Sequence, residues 1–397
     1  MAVRLGIGLI LLVTVGGVSG ACGGSEDTPL TSLRTAFEQR NGSSWTSLRE
    51  EALFLRQLDA ASDRVRVSEI GRSVKGRPLR LVTVGASRPR AAIAAESSLL
   101  FVCTQHGTEP AGREACLQSA RDAVEDLGSS TLLIIPTANP DGLATGDREN
   151  ANGVDVNRDH MALATPEARA IAAVVRDYKP DLVGDFHEYK DVGASRVLLS
   201  NPTTLHLNVD PRIRRLSSEL NRYSVRELDK ARLETGLYPS RSPEVDESVL
   251  RQQVALRHSP SLLVETPRRG ILSPLKRVTA HDAAARALLR MLREQTGRLA
   301  ANTAAARRAA AAEGASGEAR YYYRSPTRYS ERPPCGYKLM EDEYRRVNAE
   351  LRLHGVTATR AGTSWFASTA QASQPRIGLL LDARAPRELT DAEPLPC

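Results

Sequence analysis

The sequence predicts an α/β fold, a mostly parallel mixed sheet flanked by helices, with a small C-terminal α/β accessory domain behind it. Two observations carry the first part. Short apolar runs at 99–103, 131–135 and 182–186 have the length of buried strands, and they alternate with helix-period segments at 113–127 and 166–178. Strands that alternate with helices build a parallel sheet covered on both faces. A third observation sets the boundary: Gly314-Ala-Ser-Gly317 marks a change of composition, after which Tyr321 to Tyr323, Pro333-Pro334 and 337–339 begin a separate unit.

Residues 1–21 carry Arg4, an apolar stretch at 5–15, and small residues ending Ser19-Gly-Ala-Cys22, the layout of a secretory signal. The apolar stretch is short for a membrane span. Ser19 and Ala21 suit cleavage before Cys22. Cys22 followed by Gly23-Gly24-Ser25 also has the form of a bacterial lipoprotein attachment cysteine on a flexible tether. The protein is therefore expected to be exported, as a cell-envelope lipoprotein or freely secreted. Residues 22–44 read as the tether and 45–298 as the main domain, opening with a partly apolar helix at 45–61. Strands are expected at 65–70 and 79–84, with a Gly-rich connection between them, and 197–199 and 261–264 complete the sheet. Helices are expected at 211–234 and 278–298, the first with Pro211 in its first turn. An Ala-rich helical linker occupies 299–317 and the accessory domain 318–397. The latter has a helix at 341–354 and a strand at 377–381, and His354 reads as a cap or surface residue.

With 397 residues and 41% hydrophobic content the chain can bury a full core. Its net charge of +7 comes from dispersed arginines, and aromatic residues are 4% of the chain, so binding of nucleic acid by stacking in a basic groove is not expected. If Cys22 takes lipid, four of the five cysteines remain. Cys335 with Cys397 would pin the chain end to the start of the accessory domain, as suits an oxidising compartment. Cys103 with Cys116 would join a strand to the next helix, or else both stay buried thiols.

The chemistry gathers at strand ends. His106 and Glu109 follow the run at 99–103, and His187 ends the run in Asp181-Leu-Val-Gly-Asp-Phe-His-Glu188. Open parallel sheets place their sites beyond the carboxyl ends of strands, where these three side chains can converge on one zinc ion. Two histidines and one glutamate leave the fourth zinc position open, the arrangement of a catalytic site. Hydrolysis of an amide there needs a base, an electrophile for the oxyanion and groups that hold the substrate. Glu265 emerges at the end of an apolar strand and is the candidate base. Arg148 is the candidate for the oxyanion, and Asn157 with Arg158 for a terminal carboxylate, which a guanidinium meets with two parallel donors.

In this order the motifs H-G-T-E-P, N-P-D-G, R-E-N-A-N-G-V-D-V-N-R-D, D-F-H-E and S-L-L-V-E-T resemble the zinc metallocarboxypeptidase family typified by carboxypeptidase A, over residues 68–292. The resemblance implies His106, Glu109 and His187 on one zinc, Arg148 as oxyanion stabiliser, Asn157 and Arg158 on the substrate carboxylate, and Glu265 as the catalytic carboxylate. It also implies a peptide substrate with a free C-terminal carboxylate. Tyr238, in Gly236-Leu-Tyr-Pro-Ser240, is the nearest counterpart of the family's mobile substrate-capping tyrosine, at a longer spacing from Glu265; a plain loop aromatic is the other reading. His160 departs from the aromatic that follows N-R-[DN] in the family. Side-chain preference would be set among Arg251, Gln252, Gln253, Leu256 and Arg257. The expected activity is removal of C-terminal residues from peptides by zinc-activated water, with Glu265 as general base. The alternatives are a cell-wall peptide amidase, an amino-acid deacylase, or a binding lipoprotein that keeps the fold without catalysis.

Overall fold

The computed structural model describes residues 30–85, 97–190, 195–239, 245–270 and 272–397; the signal layout and Cys22 lie outside them. The main sheet has eight strands among the described residues: β1 (Val65–Arg72), β2 (Pro78–Val84), β3 (Ser98–Cys103), β4 (Thr131–Ile135), β5 (Leu182–Tyr189), β6 (Val197–Leu199), β7 (Thr235–Leu237) and β8 (Ser261–Pro267). Their spatial order is β1-β2-β4-β3-β5-β8-β6-β7. The central β4, β3, β5 and β8 run parallel, and β1, β2 and β6 join antiparallel. The fold is thus α/β with a large mixed sheet flanked by helices, as the sequence predicts. The three-residue β7 adds an edge that the sequence reading lacked.

The helices are α1 (Ala36–Gln39), α2 (Leu48–Ala61), α3 (Ala111–Asp122), α4 (Pro140–Thr145), α5 (Pro166–Tyr178), α6 (Pro211–Lys230), α7 (Leu250–Leu256), α8 (Pro274–Ser316), α9 (Glu341–Leu353) and α10 (Gln374–Leu381). Strand β3 shows why its sequence is apolar at nearly every position. Side chains alternate across a strand, so Leu99, Phe101 and Cys103 pack with α2, α3, α6 and α8, while Leu100 and Val102 pack with α5 and α7 on the other face. Start signals act locally. Thr165 accepts from Ala168 N with Pro166 beside it to open α5, and Ser273 with Pro274 opens α8 in the same way.

Cys103 is joined to Cys116 and Cys335 to Cys397, so β3 is tied to α3 and the chain end to the segment that precedes the strand Gly336–Met340. Helix α8 continues from the main domain through the Ala-rich stretch, with helical geometry interrupted at Gln295 and ended by Gly317 in the left-handed region at φ 66°. Its Leu299, Thr303, Ala306 and Ala310 are buried, which makes this stretch a packed strut.

Beyond α8 lie a two-stranded ribbon and a four-stranded antiparallel sheet with α9 and α10. The strand expected at 377–381 is a helix instead. All eight residues of α10 are buried, so its apolar run carries no period that separates helix from strand, and Pro375 sits in its first turn. His354 caps α9 as expected but is fully buried, not a surface residue. It belongs to a polar seam that joins residues 161–258 to residues 354–376. His354 Nε2 lies 2.9 Å from the Met161 carbonyl, His258 Nε2 lies 2.7 Å from that of Ala372, and Arg376 donates to the Leu256 carbonyl at 2.6 Å. Around the seam Met161, Ile213 and Leu256 share one core with Tyr321, Tyr337 and Ile377.

Burial holds His258 down to about 4 and holds His354 well below the usual histidine range. Unfolded, each titrates near 6.5. The folded chain therefore binds fewer protons than the unfolded chain below that value. The contribution of these histidines to stability is full above about pH 6.5 and falls toward pH 4, by about 1.4 kcal/mol per pH unit for each histidine. Glu265 and Glu188, whose carboxyls burial pushes up to about 8 and about 7, act in the opposite sense over the same range, so the test is a difference. Between about pH 7.5 and about pH 5 the thermal midpoint of His354→Gln should gain on that of the wild type. Parallel profiles for the two would contradict a neutral, buried His354.

Candidate active site

The site begins where β3 ends. Thr104 takes a left-handed backbone, φ 54°, which is unusual for a β-branched residue, and turns the chain out of the sheet. Gly107 then passes so close to α4 that a Cβ there would overlap the Gly142 carbonyl. The N-P-D-G motif is the other half of this contact. Asn139 caps α4 by accepting from Gly142 N, and its amide reaches the Gln105 and Arg148 carbonyls at 3.2 and 3.3 Å. Asp141 is held by Ser73, Lys75 and Arg77. The N-P-D-G stretch is thus a clamp between the two loops of the site. The 148–158 stretch is loop and a 3-10 turn, Val156–Arg158.

His106, Glu109 and His187 meet, all three buried, with one ligand atom from each within 4.8 Å of the others. His106 Nδ1 is 2.9 Å from Glu109 Oε1, His187 Nδ1 is 2.9 Å from Glu109 Oε2, and the two Nδ1 atoms are 3.2 Å apart. Two nitrogens bound to one tetrahedral zinc at about 2.0–2.1 Å stand roughly 3.3 Å apart, so both spacing and donor set fit that ion. The far ring nitrogens are held by carboxylates: His106 Nε2 lies 3.0 Å from Asp155 Oδ1 and His187 Nε2 lies 2.8 Å from Asp185 Oδ1. A carboxylate taking the Nε2 proton leaves the Nδ1 lone pair turned inward. Burial pushes the Glu109 carboxyl up, but the His106 charge and hydrogen bonds from both rings outweigh it and hold Glu109 well below the usual range.

Glu265 stands beside this cluster because β8 pairs with β5 in a register that sets it opposite His187. Burial pushes its carboxyl up to about 8, opposed by the His187 charge and reinforced by Glu109 and Asp185. Arg148 lies over the same cluster. Its Nε and Nη2 hold Asp155 Oδ2 at 3.1 and 2.9 Å, its Nη1 is 3.3 Å from Glu109 Oε1, and its side chain is 40% exposed, so it forms the solvent edge of the site.

The remaining expected residues are placed less uniformly. Asn157 is buried, with Oδ1 accepting from Leu250 N at 2.8 Å, which ties it to α7, and with Nδ2 standing 3.0 Å from His187 Nε2. Arg158 donates to the Asn157 carbonyl and stands 3.5 Å from Asp246 at the rim. Tyr238 follows β7, half-buried, with its N–H on the Leu199 carbonyl at 2.7 Å. His160 fits by hydrogen bonding where the family has an aromatic: its Nε2 is 2.6 Å from Gln105 Oε1, and Gln105 Nε2 is 2.7 Å from Asp185 Oδ1.

Asp155, Asp185 and Gln105 are absent from the sequence reading. Asp185 had a signal, since residues i and i+2 of a strand share a face and His187 was already a ligand candidate. Asp155 had none, because its position depends on how the 148–158 loop closes. Replacing it by asparagine should weaken zinc binding about 10- to 100-fold, since His106 loses the carboxylate that orients its ring. A competition titration against a zinc indicator measures this; unchanged affinity would mean that Asp155 serves Arg148 alone.

Comparison with known proteins agrees with this geometry. Residues 52–197 match the model of a family described as zinc carboxypeptidase. The chain is 34% identical over 134 residues to carboxypeptidase SOL1 of Arabidopsis thaliana, covering 29% of this chain and 27% of that protein. It is 33% identical over 132 residues to carboxypeptidase 2 of Trichophyton rubrum, covering 29% and 24%. The chain spans about a quarter of the length of the curated relatives it matches. In fold it is similar to a metallo-carboxypeptidase from Burkholderia cenocepacia, with TM-score 0.52 at 20% identity over 62% of this chain and 70% of that one. The matched segment, the fold and the donor set agree in relating this chain to the zinc metallocarboxypeptidase family.

Proposed function

We propose that this chain is a zinc-dependent metallocarboxypeptidase that removes C-terminal residues from peptides. The observation that supports this most strongly is the convergence of His106 Nδ1 and Glu109, just past β3, with His187 Nδ1 near the carboxyl end of β5, and Glu265 alongside near that of β8. These three residues would hold one zinc ion, which when bound supplies an electrophile and a water of lowered pKa. Glu265 takes a proton from the attacking water and returns it to the leaving amine, roles that suit a carboxyl whose proton affinity is raised by burial. Arg148 meets the negative charge that develops on the scissile carbonyl oxygen. Arg158 at the rim takes the substrate's terminal carboxylate, with the buried Asn157 beside it, and Tyr238 closes over it. Recognition of that carboxylate makes the enzyme an exopeptidase.

In this reading 45–298 is the catalytic domain and 318–397 the accessory domain. Export, with Cys22 lipidated or the chain free, accords with the two disulfides. The test is digestion of a mixed library of free-carboxyl and amidated peptides by zinc-loaded protein, beside a chelated sample and Glu265→Gln. Loss of single residues from free-carboxyl peptides alone, with both controls inactive, is the expected result. Cleavage of neither class by zinc-loaded protein would overturn the reading.

A further inference from the structure

Helix α7 starts beside the metal cluster, because Asn157 Oδ1 receives the N–H of Leu250, its first residue. The next residue, Arg251, is half-buried, and both Nη1 and Nη2 donate to one hydroxyl, Thr204 Oγ1, at 3.1 and 3.2 Å. No ion pair to Arg251 is found among the described residues. The Arg251 carbonyl accepts from Ser261 Oγ at 3.2 Å, which ties the start of α7 to β8, four residues ahead of Glu265. Burial lowers the guanidinium pKa, against the charges of Asp185, Tyr238 and Glu265. Thr204 belongs to the segment that leaves β6, Tyr238 is bonded to Leu199 of β6, and Glu265 pairs with Leu198. The guanidinium is thus fixed on the segment that follows β6, the strand beside β8 and Glu265, whereas Arg148 lies over His106 and Glu109.

A guanidinium has five N–H donors, and a single hydroxyl leaves the fork unfilled. When substrate displaces water from the site, the cation needs a carboxylate or suffers an uncompensated burial. An apolar side chain would cover it without a partner, and a basic one would repel it. Arg158, at the rim against Asp246, remains for the terminal carboxylate.

We propose that Arg251 receives the side-chain carboxylate of the residue being released, so that the enzyme prefers peptides ending in glutamate or aspartate. This rests on the carboxypeptidase reading and adds the substrate class to it. The test uses full-length zinc-loaded protein and peptides that differ only in a C-terminal Glu, Gln, Phe or Lys. Glu is expected to exceed Gln at least tenfold in kcat/KM, with Lys poorest. Arg251→Gln should abolish the Glu over Gln difference, and Arg251→Lys should keep part of it, since charge remains while the planar fork is lost. Equal rates on Glu and Gln peptides in the wild type, or a preference for Lys, would overturn the assignment while leaving the hydrolase reading intact. If no peptide is cleaved the hydrolase reading fails, and calorimetry decides the receptor separately. N-acetylglutamate α-amide, which keeps the side-chain carboxylate alone, should bind wild type at least tenfold tighter than Arg251→Gln. Equal binding, or a loss confined to N-acetylglutamine, would show that Arg251 takes no side-chain carboxylate.

Discussion

Glu265→Gln is expected to lower kcat/KM for peptide hydrolysis by about 10²–10⁴-fold while zinc stays bound. The amide keeps the shape and polarity of the side chain but cannot accept the proton of the attacking water at its oxygen and pass it on. Metal retention follows from position: Glu265 stands opposite His187 in the strand register, whereas the convergent donors are His106, Glu109 and His187. The measurement pairs zinc stoichiometry of the purified variant with its turnover on free-carboxyl peptides. A variant that binds zinc and keeps more than a tenth of wild-type activity would remove Glu265 from the proton-transfer role. One that loses zinc would make it a structural neighbour of the cluster.

The second large effect concerns stability. Arg113→Met is expected to cost about 3–5 kcal/mol, because it strands two buried carboxylates. Arg113 is fully buried, with Nη1 3.3 Å from Glu51 Oε2 and Nη2 3.5 Å from Glu114 Oε1 and bonded to the Thr46 carbonyl. Glu51 also accepts from Thr137 at 2.5 Å, and Glu114 accepts from Thr46 N at 2.8 Å. The cluster fastens the 46–51 segment to α3, whose first N–H meets Glu188 beside the ligand His187. Denaturant unfolding of the variant tests this. The double variant Arg113→Met/Glu51→Gln should recover part of the loss, because one stranded charge is removed. A cost below about 1 kcal/mol for the single variant would mean that the carboxylates take up protons and relax without the guanidinium.

Much of the site is legible in the sequence. His106, Glu109, His187 and Glu265 each stand at the end of an apolar run of strand length, and parallel strands deliver their carboxyl ends to one edge of the sheet. A residue just past such a strand is therefore located by its neighbours along the chain. The β5 and β8 register then sets Glu265 opposite His187. Both cysteine pairings were likewise open to reading, as a strand to its next helix and as a chain end to its own unit.

Residues on loops and in the second unit were not open in this way. Asp155 orients His106 and Arg148 only once the 148–158 loop has closed on α4, a contact set by Gly107 and Gly142, which approach from different segments. His354, a cap in its own helix, turns out to be buried by Met161 and Arg257, about a hundred or more residues away in sequence. Helix α10 was misread as a strand because burial on every side erases the periodicity that distinguishes the two. Arg251 was one of several polar candidates until α7 was capped by Asn157 and its guanidinium came to rest on Thr204. The sequence by itself determined the strands, the convergent donors and the family they resemble, since those follow from local pattern and strand direction. Which side chains orient the donors, how the second unit is seated, and which cation waits for substrate were decided by tertiary contacts between segments far apart in the chain, whose partners no local pattern encodes.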